Sequence, residues 1–138
     1  MKFLFDTNII LDVLLKRSPW YQDGYALWQA NDQGKIQGYV SATTVTDIFY
    51  VSRRFAGSAG ALEAVKTCLR AFSVIAVDYD LLDQATQLPG LDFEDNLQIV
   101  CAVMSNLDAI VTRNPDDFSQ APLSILSPAE TLQKLSTL

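Results

Sequence analysis

The sequence contains no histidine, and that absence excludes more than any residue present. Ser–His and Cys–His nucleophile pairs, His-ligated zinc and imidazole acid–base catalysis all fall away. Only two cysteines occur, Cys68 and Cys101, in the apolar settings KTCLRAF and QIVCAVM. They have neither zinc-site spacing nor the density of a disulfide scaffold, so buried free thiols are expected. Long apolar runs are lacking as well, since none approaches the ~18–20 residues a membrane helix needs. The opening run MKFLFDTNIILDVLL is cut by Asp6 and Asp12, whereas a signal h-region is continuously apolar over about 7–15 residues. A cytoplasmic location with no membrane partner is the expectation. Basic residues are few, 10 against 16 acids for a net charge of −6, which argues against attachment to nucleic acid through bulk positive charge. A local anion site stays open, above all where metal ions neutralise a carboxylate cluster. Any catalysis has to use carboxylates, amides, hydroxyls, Lys, Arg or a bound metal.

What is present fits one domain over residues 1–138, long enough to bury a core. Segment 2–6 (KFLFD) reads as a buried strand. Helices are expected over 9–15 and 21–33, a strand over 38–42, and a helix from Thr43 to about Phe55. Gly57, Ser58 and Gly60 mark a loop, and 60–72 returns to helical spacing. A strand over 73–77, helices over 79–88 and 92–107, and a strand over 109–112 follow. The loop RNPDDF leads to a strand over 123–126. Ser127-Pro128-Ala129-Glu130 then opens the last helix with an N-cap, Pro at N1 and an acid at N3. Short apolar strands alternating with helices imply an α/β fold with a mostly parallel sheet covered on both faces. Sites in such sheets form beyond the carboxyl ends of the strands.

Several acids stand where packing alone does not ask for them. Asp6 ends the first strand, where an Asx turn or an N-cap serves equally well. Asp47 lies in the helix TTVTDIFYV among apolar neighbours. A solvated helix residue is one reading, but Asp is a poor helix former, and Thr44, Ile48 and Val51 mark this face as partly covered, which favours function. Asp95 follows Asp92 at capping-box spacing, so a helix cap accounts for both. Asp116 and Asp117 are ordinary loop acids taken singly, and Asp12 reads as structural. Taken together, carboxylates gathered at one sheet edge raise each other's pKa values unless cations sit among them. Hard oxygen donors suit Mg²⁺ or Mn²⁺, and metal-assisted phosphodiester hydrolysis is the chemistry this inventory supports.

Four segments in register carry a family resemblance. FLFDTNIILDVLL, SATTVTDIFYV, DFEDNLQIVCA and IVTRNPDDF resemble, in order, the four motifs of the PIN domain, the metal-dependent ribonuclease fold of VapC-type toxins. The resemblance implies a PIN-like α/β/α sandwich, with Asp6 and Asp95 as central metal ligands. It places Asp47 at the second acidic position and Asn114 with Asp117 at the last. Asn8 and Thr112 then support the site through hydrogen bonds. Two positions depart from the family pattern. Asp47 stands where Glu is common, one methylene shorter, and Asn114 stands where Asp is frequent, which lowers the charge available to a second ion.

The resemblance further implies an RNA substrate, a cognate antitoxin and a homodimer. Part of the aromatic set Trp20, Tyr21, Tyr25, Trp28, Phe49, Tyr50 and Phe55 is expected at that dimer interface. Arg54, seven residues beyond Asp47, with Arg53, Lys16 and Arg17 lines a phosphate-binding groove, or these are solvated helix ends. Asp6→Asn and Asp95→Asn are both expected to melt no lower than wild type. Two other readings stay open: a catalytically weak RNA- or partner-binding module, and a phosphatase of the haloacid dehalogenase type. The latter wants a second Asp two residues after the first, where this chain has Asn8.

Overall fold

The computed structural model describes residues 1–137. Five strands form one sheet: β1 (Lys2–Phe5), β2 (Gln37–Ser41), β3 (Ser73–Ile75), β4 (Ala109–Val111) and β5 (Ser124–Leu126). Their order is β3-β2-β1-β4-β5, and every pairing is parallel. The helices are α1 (Thr7–Leu14), α2 (Tyr21–Asp32), α3 (Ala42–Ala71), α4 (Tyr79–Thr86), α5 (Phe93–Met104) and α6 (Pro128–Ser136). The loop expected at RNPDDF tightens into a 3₁₀ turn over Pro115–Phe118.

Alternation along the strands divides the core between the two faces of the sheet. Phe3, Phe5, Ala109 and Val111 join one cluster with Ile9, Ile10, Leu27, Ile48 and Phe72 from the first three helices and the end of α3. Leu4 and Ile110 point the other way, onto Ile99 and Ala102 of α5 and onto Phe118. Both faces being covered explains why β1 and β4 read as unbroken apolar runs. Cys68 and Cys101 are buried and unpaired, and desolvation pushes both thiols up to about 11. They pack as the sequence implied. No helix among the described residues is long and apolar enough to cross a membrane.

One element departs from expectation. Gly57, Ser58 and Gly60 do not form a loop, because α3 runs from Ala42 to Ala71 with a single break at Gly57 (φ 70°, ψ 177°). Only this residue needs the left-handed region that glycine tolerates. Beyond it, Ala61 and Cys68 are buried and Ala64 and Val65 pack on the core, so tertiary burial restores the helix despite two more poor helix formers.

Strand order reverses at β1. The chain moves out from it through β2 to β3, then returns to its other side with β4 and β5. The crevice past the carboxyl ends of β1 and β4 is thus the topological switch point, where parallel sheets bind ligands.

Candidate active site

Asp6 occupies that crevice. It is buried, with 8% exposure, and takes three hydrogen bonds from three separate elements. Oδ1 accepts from the Thr7 backbone N–H (2.8 Å) as the N-cap of α1, and from Gln98 Nε2 (2.9 Å). Oδ2 accepts from the Thr112 hydroxyl (2.8 Å). Thr112 is itself fixed, since its oxygen accepts from the Asn114 N–H (3.0 Å) and its own N–H donates to Leu126 (2.9 Å). The capping and functional readings of Asp6 are therefore compatible. The N-cap bond engages one oxygen, and the residue still lines the cleft.

A cleft of about 360 Å³ opens here, lined by Asp6, Asn8, Asp47, Asp92, Glu94, Asp95, Gln98, Asn114 and Asp117 together with Thr7, Leu11, Tyr50 and Val51. Four elements with their capping residues supply these side chains, namely α1, α3, α5 and the 3₁₀ turn. Thr7 on α1 and Thr44 on α3 share a hydroxyl hydrogen bond (2.9 Å), which sets Asp47, one turn further along α3, against the cleft. On α5 the Asp92 side chain caps the helix by accepting from the Asp95 N–H (3.0 Å). The cap uses the Asp95 backbone and leaves its carboxylate lining the cleft. Gln98 follows one turn later on the same helical face. Buried Phe118 pins the 3₁₀ turn that carries Asp117.

The electrostatics record the crowding. Desolvation, then the negative charges of Asp92, Asp6 and Asp117, push Asp95 up to about 6. Glu94 rises to about 7, first because it shares a hydrogen bond with Asp47, then through desolvation and the charges of Asp47, Asp92 and Asp95. Sequence reading missed Glu94. It looks like an ordinary first-turn acid, and its partner Asp47 comes from a distant helix with no local signal linking the two. Gln98 was missed for a similar reason, being one polar residue in an apolar helix.

The expected cations fare differently. Arg17 lies outside the cleft lining and is engaged by neighbouring side chains. Its Nε pairs with Asp12 Oδ1 (2.9 Å) and its Nη2 donates to Asn8 Oδ1 (3.3 Å). Asp12 is 1% exposed and also pairs with Arg113 (3.0 Å), whose guanidinium lies 3.8 Å from the Trp20 ring centroid. Burial raises the Asp12 carboxyl while the two guanidiniums pull it down. Asp12 is structural, as its sequence setting suggested, and it needs two arginines to be so. Asn8 lines the cleft, but its recorded partner is Arg17 rather than Asp6. Arg53 and Arg54 are exposed on α3 outside the cleft lining, with Arg53 over the Tyr50 ring at 5.3 Å. Lys16 is exposed in a left-handed turn (φ 52°).

The donor set suits a hard divalent cation, being all carboxylate and amide oxygen. Among the described residues, no three acidic or thiol side chains converge closely enough to hold a metal ion as the chain stands. Each Asp6 oxygen accepts from the protein, and a carboxylate oxygen keeps further acceptor capacity. Gln98 Oε1 is a buried acceptor without a partner. The residues fit the ion in chemistry, and the side chains need to draw together to close on it.

This is a parallel α/β/α sandwich with an acidic, histidine-free cleft at its switch point. The PIN domain family matches residues 2–116, and the chain belongs to that family. No curated protein matches the sequence. Among solved structures, the chain is similar to Mycobacterium tuberculosis VapC20, a sarcin–ricin-loop-cleaving toxin, with TM-score 0.71 and 16% identity over 88% of this chain and 95% of that one. DNA-bound VapBC from Salmonella typhimurium gives TM-score 0.71 and 19% identity over 93% and 98%. A toxin–antitoxin complex from Klebsiella pneumoniae gives 0.69 and 23% over 91% and 96%. At these identities the likeness establishes the shared fold, the PIN-like sandwich that the sequence motifs implied.

Proposed function

We propose that the chain is a metal-dependent ribonuclease that hydrolyses RNA phosphodiester bonds, acting as the toxin of a type II toxin–antitoxin pair. The observation that carries this reading is the crowding of Asp6, Asp47, Glu94, Asp95 and Asp117 around one cleft. Asp95 and Glu94 are driven to about 6 and about 7 there. Carboxylates that resist ionisation beside one another are relieved by a cation.

Mg²⁺ or Mn²⁺ is the proposed ion, with Asp6 and Asp95 as central ligands, Asp47 and Asp117 assisting and Asn114 offering a neutral oxygen. When bound, such an ion would supply Lewis acidity and lower the pKa of a bound water. The chain's own residues do the positioning. Thr112 and Gln98 orient Asp6, and Asp92 fixes the end of α5 that carries Glu94 and Asp95. Arg53 and Arg54, exposed on α3, and the exposed Lys16 are the cations left to meet substrate phosphate, because Arg17 is committed to Asp12 and Asn8.

The antitoxin proposal draws support from the fold shared with toxins solved in antitoxin complexes. A homodimer goes with it, using exposed aromatics such as Tyr25 and Phe55. Light scattering at micromolar concentration checks this, and a monomeric mass contradicts it. One observation favours the alternative of a catalytically weak module, namely that among the described residues no three acids are already drawn together. Calorimetry with Mn²⁺ separates the two. The nuclease reading expects wild type to bind and Asp6→Asn to bind far more weakly, whereas no wild-type binding favours the module.

A further inference from the structure

Gln98 is 2% exposed and lines the acidic cleft. Its amide has one satisfied half and one unsatisfied half. Nε2 donates to Asp6 Oδ1 at 2.9 Å, and Oε1 is buried with no hydrogen-bond partner. The amide orientation is not arbitrary. Turning it over sets Oε1 against the carboxylate oxygen of Asp6, acceptor on acceptor, and removes one of the three bonds that hold Asp6. Asp6 therefore fixes which atom is left over, and that atom is an acceptor.

A buried acceptor without a donor is costly, and native proteins keep few of them. A glutamine meant only to anchor Asp6 has no need of this exposed cost, because Thr112 performs the same service with a hydroxyl whose oxygen is itself satisfied by Asn114. The cleft does hold donor side chains, on Thr7, Asn8, Tyr50 and Asn114, but none of them makes a hydrogen bond to Oε1, and the other polar side chains that α5 brings to the cleft are carboxylates. What reaches such a place is water oriented by a cation, or the cation itself, and amide oxygens serve both.

Resting on the metal-nuclease reading above, we infer that Gln98 is a second-role positioning residue of the cation site: Nε2 holds Asp6, and Oε1 accepts a hydrogen bond from a water of the bound ion's hydration shell. The residue thus ties the ligand and the hydrated ion together through one side chain. Mg²⁺ and Mn²⁺ suit this arrangement because ions of this type retain several waters when bound by few carboxylates. Groups outside the direct ligand set commonly set metal affinity by 10–100-fold.

The test is Mn²⁺ affinity by calorimetry on the full chain, with no dependence on turnover. Gln98→Met removes both halves of the amide in similar volume. Thr112→Val removes the other anchor of Asp6 without removing an orphan acceptor. The inference expects Gln98→Met to lose about 10–100-fold in affinity, clearly more than Thr112→Val. Circular dichroism on each variant verifies folding, and if Gln98→Met unfolds, Gln98→Leu against Thr112→Val carries the same decision. Equal losses in the Gln98 and Thr112 variants, or a Gln98 variant that binds as wild type, overturn the inference and leave the metal site standing. A wild type that binds no Mn²⁺ overturns both.

Discussion

Neutralising Asp95 should stabilise the metal-free protein, and the size and pH window of the gain follow from the cleft. In the folded chain Asp95 holds its proton up to about 6, through desolvation and then the charges of Asp92, Asp6 and Asp117. In the unfolded chain an aspartate titrates near its ordinary value of about 3.9. The folded state therefore binds more protons between these values, so stability falls as pH rises from about 4 to about 6 and stays reduced above that. The difference between these two values caps the penalty at about 3 kcal/mol. Asp95 is partly solvated, and screening brings a realistic figure to about 1–2 kcal/mol. Asp95 also sits in the first turn of α5, where the helix dipole favours an anion by about 0.3–1 kcal/mol, which trims the gain further. Asp95→Asn in EDTA should melt several degrees above wild type at pH 7.5 and level with it at pH 3.5. Thermal denaturation followed by circular dichroism at both pH values measures this. A variant that melts lower at pH 7.5, or a gap that does not close in acid, refutes the crowded-carboxylate account and returns Asp95 to a helix-end role.

Other outcomes follow from the same geometry. Asp6→Asn should behave oppositely to Asp95→Asn and lose stability, because its carboxylate receives three hydrogen bonds, each worth about 1.5–3 kcal/mol at most when charge-assisted; this departs from the sequence expectation, and denaturant titration checks it. Mn²⁺ affinity should climb between about pH 5 and 8 as the ion displaces protons from Asp95 and Glu94, and Glu94→Gln should flatten the upper part of that rise in calorimetry. Uncleavable RNA should bind in Ca²⁺ or Mn²⁺ and hardly at all in EDTA, with Arg54→Ala weakening binding and lowering its salt dependence; filter binding that ignores chelator contradicts metal-bridged capture.

Much of this was legible in the chain. The apolar runs of β1 and β4 and the strand–helix alternation gave a parallel sheet. Chemistry drew attention to Asp6, Asp47, Asp95 and the pair Asp116 and Asp117, and the family resemblance chose Asp117 of that pair. The four acids so chosen share one cleft, whereas Asp116 lies outside its lining. What escaped depended on contacts between distant residues. Gly57, Ser58 and Gly60 look like a loop locally, yet the burial of Ala61 and Cys68 keeps the helix going. Arg17 reads as a free cation until Asp12 and Asn8 are seen to hold it. Arg113 gave no hint of its place between Asp12 and Trp20. Glu94 and Gln98 carry no motif of their own; only the approach of α5 to Asp47 and Asp6 makes them part of the cleft.

The central claim is hydrolysis of RNA by a cation held at Asp6 and Asp95, and the products of cleavage test it most directly. End-labelled RNA should be incubated with the purified wild type in Mn²⁺, with wild type in EDTA, and with Asp95→Asn in Mn²⁺. Attack by water activated at a metal leaves a hydroxyl on one side of the break and a phosphate monoester on the other, with no cyclic phosphate, in the first reaction only. Cleavage that persists in EDTA or in the folded Asp95→Asn protein contradicts the account, as do 2′,3′-cyclic phosphate ends, which mark attack by the RNA's own hydroxyl.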